Sequence, residues 1–209
     1  MRLKEAITWT AITAIGLLPV ILLLLFGPRD FSSITFVIGQ SAGLIGMTFF
    51  ALSFILSTRA GWIEDLFGGL DKVLVAHGIL GATATTVILL HPIFLVLKYI
   101  PDNVTLAAKY ILPGGLLSVD LGIFALLLMI VLIVMTLYAK IGYHHWKISH
   151  EFYGLVFILA SLHVLLIRGN GSRDSIFAGY YWYAGIIVAI GLSGFIYSFF
   201  VRRHVKTKK

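Results

Sequence analysis

The 209-residue sequence contains no cysteine and few charged side chains. The absence of cysteine excludes disulfide bonds, thiolate-bound zinc, iron–sulfur clusters bound by cysteine, and haem attached covalently through a C-x-x-C-H motif. Charged residues make up 12% of the chain, whereas an average soluble domain has about 25%. Hydrophobic residues make up 59%, and the mean hydropathy is +1.00. This composition excludes a water-soluble globular protein.

Six apolar segments are long enough to cross a bilayer as helices, which takes about 20 residues each. They cover residues 8–27, 34–57, 72–98, 116–138, 149–168 and 180–201. Turns rich in glycine and proline, such as Gly68-Gly69 and Pro113-Gly114-Gly115, separate them. The first segment is expected to be a retained helix, because its apolar run is long for a signal peptide and no clear cleavage site follows. The sequence therefore predicts an all-α integral membrane protein, with residues 1–209 forming one six-helix bundle.

The net charge of +7 reflects the distribution of lysine and arginine between the two membrane sides. The side of the N-terminus carries eleven of these residues: Arg2, Lys4, Arg59, Lys72, Lys140, Lys147, Arg202, Arg203, Lys206, Lys208 and Lys209. The opposite side carries five: Arg29, Lys98, Lys109, Arg168 and Arg173. Because cytoplasmic loops are enriched in basic residues, both termini are predicted to be cytoplasmic. The positive charge is thus a topology signal and predicts no nucleic-acid partner.

Four of the 7 histidines lie in the apolar segments, where an imidazole is costly and indicates a functional site. His77 and His150 lie near the cytoplasmic starts of the third and fifth segments, and His91 and His163 lie near the outer ends. The histidines are 14 residues apart on one segment and 13 on the other, a rise of about 21 and about 19.5 Å. Because the two segments run in the same direction, the sequence predicts imidazole pairs at two matched levels.

Two such pairs can hold two flat cofactors stacked across the membrane, since two neutral imidazoles fill both axial positions of haem iron. With no cysteine available, this haem would be b-type. The alternatives are hydrogen bonds between helices and a metal-ion transporter, because imidazole also binds zinc. A turn of about 100° per residue places His77 and His91 some 40° apart, but His150 and His163 about 140° apart. A straight helix does not explain the second value; a kink would absorb part of it.

Two glycines strengthen the inner level of the prediction. Gly81 and Gly154 each follow a histidine by four residues and share its helix face, so each leaves room for a flat ring. Ordinary helix packing is the alternative, and it is the interpretation we give to Gly39-x-x-x-Gly43.

Phe157 lies midway along its segment as a candidate electron relay or a core residue. Candidate partners for haem propionates, or topology charges, are Arg59, Lys72, Lys147 and Arg168. The remaining histidines, His144, His145 and His204, fall in a cytoplasmic loop or tail.

The histidine spacing resembles that of the ferric reductase-like transmembrane domain. Ferric reductases, NADPH oxidases and the haem-binding membrane subunit of the bacterial methionine-sulfoxide reductase system share this domain, which has six helices and two histidine pairs. Thirteen residues separate His77 from His91, and twelve separate His150 from His163, as is typical of that family. Residues 140–163 are most similar to the sulfoxide-reductase subunit, whereas residues 69–72 and 91–92 are more similar to ferric reductases.

The resemblance implies electron transfer through two stacked b-type haems with His77, His150, His91 and His163 as axial ligands. A cytoplasmic flavoprotein with FAD or FMN, or a quinol, would be the donor, and a ferric chelate or periplasmic redox enzyme the acceptor. We expect an oxidoreductase component of the plasma (inner) membrane that needs a separate flavin partner, because no Gly-x-Gly-x-x-Gly fingerprint follows a strand. Leu95 replaces a further histidine of the superoxide-forming oxidases. A metal-ion transporter and a quinol-linked cytochrome b remain the alternatives.

Overall fold

The computed structural model describes residues 3–26, 34–100, 102–138, 142–167 and 178–201. Within these ranges the chain is helical and contains no strand. Six helical spans are long and apolar enough to cross a membrane: Leu3–Leu25, Ile34–Ser57, Leu70–Leu97, Leu117–Leu137, Tyr143–Leu166 and Trp182–Val201. The prediction of an all-α protein with six membrane helices is confirmed.

The helices follow one another as α1 to α9. Their bounds are α1 Leu3–Phe26, α2 Ile34–Ser57, α3 Gly61–Phe67, α4 Leu70–Leu97, α5 Val104–Ala108, α6 Leu117–Leu137, α7 Tyr143–Glu151, α8 Tyr153–Leu166 and α9 Ala178–Ile196, with a π-helical turn at Tyr197–Val201. The first and fifth spans begin earlier than predicted, at Leu3 and Tyr143, because hydropathy detects the apolar part of a helix and not its polar first turns. The short helices α3 and α5 connect the spans and were not predicted.

The turn between α3 and α4 uses the two glycines that the sequence marks as a boundary. Gly68 has φ +77° and Gly69 has φ +141°, backbone conformations that favour glycine. The Gly68 N–H donates to the Glu64 carbonyl at 2.7 Å and closes α3. The chain then enters α4, which carries His77 and His91.

The bundle is organised as two close helix pairs with a gap between the helices that carry the histidines. α2 packs along the length of α4 and also against α9, and α6 packs along α8. By contrast, α4 and α8 make little direct backbone contact within the described residues. Large apolar side chains on the outer surface, such as Leu24, Val75, Leu117 and Phe124, are exposed, as expected of helices solvated by lipid.

Candidate haem-ligand site

The four membrane histidines form two pairs that bridge the gap between α4 and the α7–α8 span. The ring centres of His77 and His150 are 6.0 Å apart, and those of His91 and His163 are 6.2 Å apart. The structure therefore brings these residues together in the two combinations that the sequence predicts. We call His77 and His150 the inner pair, and His91 and His163 the outer pair.

Both rings of the outer pair are held from behind by a backbone carbonyl. His91 Nδ1 lies 2.7 Å from the Gly39 carbonyl oxygen, and His163 Nδ1 lies 2.6 Å from the Ser118 carbonyl oxygen. A carbonyl oxygen only accepts, so each Nδ1 carries the hydrogen and donates it. This tautomer leaves Nε2 with its lone pair available to a metal ion.

The inner pair is held differently on its two sides. His77 Nδ1 lies 3.0 Å from the Ser53 carbonyl oxygen and 2.9 Å from Ser53 Oγ. His150 Nδ1 is buried and has no hydrogen-bond partner in the part of the chain that the structure describes. Its ring instead stacks on Trp146, with ring centres 5.1 Å apart and planes inclined by 21°, and packs against Tyr153. Aromatic packing thus fixes the His150 ring where the other three histidines use hydrogen bonds.

A helix break lies between His150 and His163. α7 ends at Glu151, α8 begins at Tyr153, and Phe152 lies between them. The Phe152 N–H donates to the Ser149 carbonyl, three residues back, in place of the regular α-helical bond four residues back. This change in winding lies between the two histidines, and a three-residue turn adds only about 20° to one α-helical step, so it accounts for a small part of the roughly 140° calculated for a straight helix.

The two inner glycines lie in different surroundings. A Cβ added at Gly81 would meet only Ser53 Oγ, at 3.8 Å, so this face of α4 is open. A Cβ added at Gly154 would overlap the ring of Phe195, which fills that side of α8. Gly81 retains the open space that the prediction requires. At Gly154 the structure instead supports the alternative interpretation, the close packing of α8 against α9.

Phe157 is fully buried in an aromatic cluster of α2, α8 and α9. Its ring centre lies 5.3 Å from that of Phe50 and 5.0 Å from that of Phe54. Gly191 on α9 makes room for the Phe157 ring. These contacts account for Phe157 as a core residue.

The candidate charged partners of a cofactor also differ in their surroundings. Lys72 Nζ lies 2.7 Å from Glu5 Oε1 and so links the start of α4 to the start of α1. Arg59 lies in the connection between α2 and α3. Lys147 is exposed on α7, as are His144 and His145. Some basic residues named in the sequence analysis, and one histidine, lie outside the described residues: Arg2, Arg29, Lys140, Arg168, Arg173, Arg202, Arg203, His204, Lys206, Lys208 and Lys209.

The two imidazole pairs fit a metal ion that takes two nitrogen ligands from the protein, as haem iron does. Two imidazoles bound to one metal ion through nitrogen at about 2.0–2.1 Å have ring centres about 6 Å apart on opposite sides of the ion. Both pairs have this separation. A zinc site takes three or four protein ligands, and no group of three or more histidine, aspartate or glutamate side chains that could hold a metal ion occurs among the described residues.

Most of the described bundle matches one known protein family. Residues 42–161 match the model described as ferric reductase like transmembrane component, which is more than half of the chain. The chain belongs to this family. Membership identifies a multi-pass membrane protein of a redox and electron-transfer family, whose members typically work with redox partners. The match contains His77, His91 and His150 and ends two residues before His163. A search of curated proteins found no match.

Several residues around the two histidine pairs were not identified from the sequence. Ser53, Gly39 and Ser118 offer carbonyl oxygens to the histidines, and backbone acceptors have no sequence signature of their own. Trp146, four residues before His150, is one of the residues that carry the family resemblance, but its stacking on the His150 ring was not predicted, although i, i+4 side chains meet on a helix.

Proposed function

We propose that this chain carries electrons across the membrane with two b-type haems, one bound by the inner pair and one by the outer pair. The observation that carries the proposal is the presence of two facing imidazole pairs, at ring-centre distances of 6.0 and 6.2 Å, near opposite ends of one helix. The family match supports membrane electron transfer in general. The absence of cysteine favours haem held by ligation and packing alone.

The residues of the chain perform three tasks in this proposal. A bound haem would supply one-electron chemistry at each level. The four imidazoles would hold the two haem irons, and the carbonyls of Gly39, Ser53 and Ser118 keep Nδ1 protonated on three of them. Arg59, between α2 and α3, would provide a positive charge suited to a carboxylate at the inner level. The apolar helices around the pairs exclude water.

The proposed direction is from the cytoplasm outward. A cytoplasmic flavin reductase or a quinol would reduce the inner level, and a ferric chelate or a periplasmic redox enzyme would take electrons from the outer level. The excess of basic residues on the side of the N-terminus supports this orientation. The same residues would give an acidic flavoprotein surface a complementary face.

The test is haem content and spectrum of the protein purified in detergent after expression with added haem precursor. We expect a dithionite-reduced b-type band. We also expect His91→Ala to lower the pyridine-haemochrome value per chain by about half, because His91 would hold only one of the two proposed haems. His144→Ala is the matched control, since His144 is exposed and outside both pairs. Unchanged haem content in His91→Ala contradicts the outer site.

Two outcomes favour the alternatives. A colourless protein with metal-dependent flux in proteoliposomes would overturn the proposal and support a metal-ion transporter. Haem reduced by quinol, with no reduction by any flavin reductase and NAD(P)H, would identify a quinol-linked cytochrome b.

A further inference from the structure

The two outer histidines meet the same backbone arrangement on two different helices. On α2, His91 donates to the carbonyl of Gly39, and Gly43 stands four residues later. On α6, His163 donates to the carbonyl of Ser118, and Gly122 stands four residues later. Each imidazole is therefore bonded to the carbonyl of residue i and lies against a glycine at i+4.

The fit at both glycines leaves no space for a side chain. A Cβ at position 43 would lie 2.7 Å from His91 Nδ1 and 3.0 Å from His91 Cε1. A Cβ at position 122 would lie 2.7 Å from His163 Nδ1 and 2.8 Å from His163 Cε1. Both rings rest on bare backbone, and any larger residue would push the ring away from its carbonyl.

Helix geometry explains how glycine at i+4 opens a carbonyl to a second donor. The carbonyl of residue i points toward the N–H of residue i+4, and each Cα–Cβ bond is tilted toward the helix N-terminus. At positions 43 and 122, a Cβ on residue i+4 would therefore lie on the side from which the imidazole approaches that carbonyl. Without this Cβ, the oxygen accepts the helical N–H and the imidazole N–H together.

We propose that Gly43 and Gly122 are positioning residues for the outer axial ligands, an inference that rests on the proposed haem-binding function. By exposing the two carbonyls, they fix the Nδ1–H tautomer of His91 and His163 and the orientation of Nε2. A hydrogen bond from Nδ1 also makes the imidazole a more basic ligand. A more basic ligand stabilises the ferric state and lowers the midpoint potential of the iron.

This arrangement is confined to the outer pair. Residue 57, four positions after Ser53, is serine, and the Ser53 hydroxyl lies beside His77 Nδ1 together with its carbonyl. His150 has no hydrogen-bond partner at Nδ1 among the described residues. Changes at Gly43 and Gly122 should therefore act on the outer level alone.

The experiment compares Gly43→Ala and Gly122→Ala with Gly46→Ala in the full chain. Gly46 is the matched control because it lies on α2, where a Cβ would press on Ile88 and lie 3.2 Å from the Ala84 carbonyl, without touching a histidine. Haem per chain, the midpoint potentials from a spectroelectrochemical titration and thermal stability are measured for each variant.

We expect Gly43→Ala and Gly122→Ala to weaken haem binding at the outer level by about 10- to 100-fold, as is typical when a partner of a metal ligand is lost. Any outer haem that remains should titrate at a higher potential, and the inner potential should not move. Gly46→Ala should lower stability while both potentials stay at their wild-type values. Gly122→Ala, on a separate helix, tests the inference even if Gly43→Ala does not fold.

Two other results are distinguishable. A wild-type protein without haem would overturn the proposed function and this inference with it. Wild-type protein with two haems, together with unchanged content and potentials in both alanine variants, would overturn only the inference. Equal changes of haem content and midpoint potential in Gly43→Ala and Gly46→Ala would also overturn only the inference, since they would indicate an effect of general helix packing.

Discussion

A histidine in a membrane helix takes its role from the nitrogen that its surroundings leave free. Carbonyl acceptors at Nδ1 direct Nε2 toward a ligand role in three of the four membrane histidines. His150 is the exception, because Trp146 stacks on its ring and no hydrogen bond to Nδ1 occurs in the described chain. The two levels of the proposed electron path are therefore chemically unequal.

Tyr110, outside the membrane spans, gives a prediction for pH dependence. Burial, together with a hydrogen bond to Tyr99 at a hydroxyl distance of 3.1 Å, raises the pKa of Tyr110 to about 12. The unfolded value is about 10, so the stabilisation from this tyrosine is fully present below about pH 10 and is lost between about pH 10 and 12. We expect Tyr110→Phe to remove this part of the pH dependence, measured by thermal unfolding in detergent.

The control for this experiment is Tyr138→Phe, since Tyr138 is exposed at the end of α6. If Tyr110→Phe and wild type lose stability in parallel over this alkaline range, the Tyr99–Tyr110 contact does not govern the titration.

Among the helices, the span that carries His150 and His163 is interrupted at Phe152. A continuous helix would place His150 and His163 about 140° apart, and the change from α7 to α8 falls between them. On α4 no such change is needed, because residues 14 apart already share a face. Hydrophobicity alone predicted a helix at these positions, yet it contained no information on where the winding changes.

The aromatic cluster of α2, α8 and α9 gives a prediction for Phe157. Since this ring is fully buried against Phe50 and Phe54, we expect Phe157→Leu to reduce stability by roughly 1–3 kcal/mol through the cavity left behind. We expect the rate at which electrons pass from the inner to the outer level to remain at the wild-type value. Thermal unfolding and stopped-flow reduction measure the two effects.

Phe124→Leu serves as the control, because Phe124 is exposed on the lipid-facing side of α6. A slower inter-level transfer in Phe157→Leu, without a matching change in Phe124→Leu, would show that Phe157 acts as a relay.

For the molecule as a whole, the two helix pairs α2–α4 and α6–α8 support the histidines from behind. His91 on α4 donates a hydrogen bond to a carbonyl of α2, and His163 on α8 donates one to a carbonyl of α6. Because α4 and α8 make little direct contact, the imidazoles meet across a gap instead of being crowded out by helix packing. A flat cofactor requires such a gap between its axial ligands.

The distribution of basic residues predicts the orientation of this bundle. Eleven of the 16 lysines and arginines fall on the side of the N-terminus, so a fluorescent protein fused after Lys209 should fluoresce in a bacterial host, and alkaline phosphatase there should be inactive. Alkaline phosphatase inserted at Asn103 should be active. High phosphatase activity of the C-terminal fusion would contradict the predicted orientation, and with it the proposed direction of electron flow.

The sequence by itself determined the six membrane helices, since crossing hydrocarbon demands long apolar runs that are visible in composition alone. It also determined the pairing of His77 with His150 and His91 with His163, because a constant rise per residue converts spacing into height. The ends of the spans were less accurate, as at Leu3 and Tyr143, since polar turns continue a helix beyond its apolar part.

Only the tertiary structure decided what stands behind each ring. The carbonyls of Gly39 and Ser118 are bonded by histidines 52 and 45 residues away, and a backbone acceptor is the same at every position of a sequence. Gly43 and Gly154 look alike as small residues, yet one makes room for His91 and the other for Phe195. A missing Cβ has a role only through the neighbour that occupies its space, and packing between distant helices chooses that neighbour.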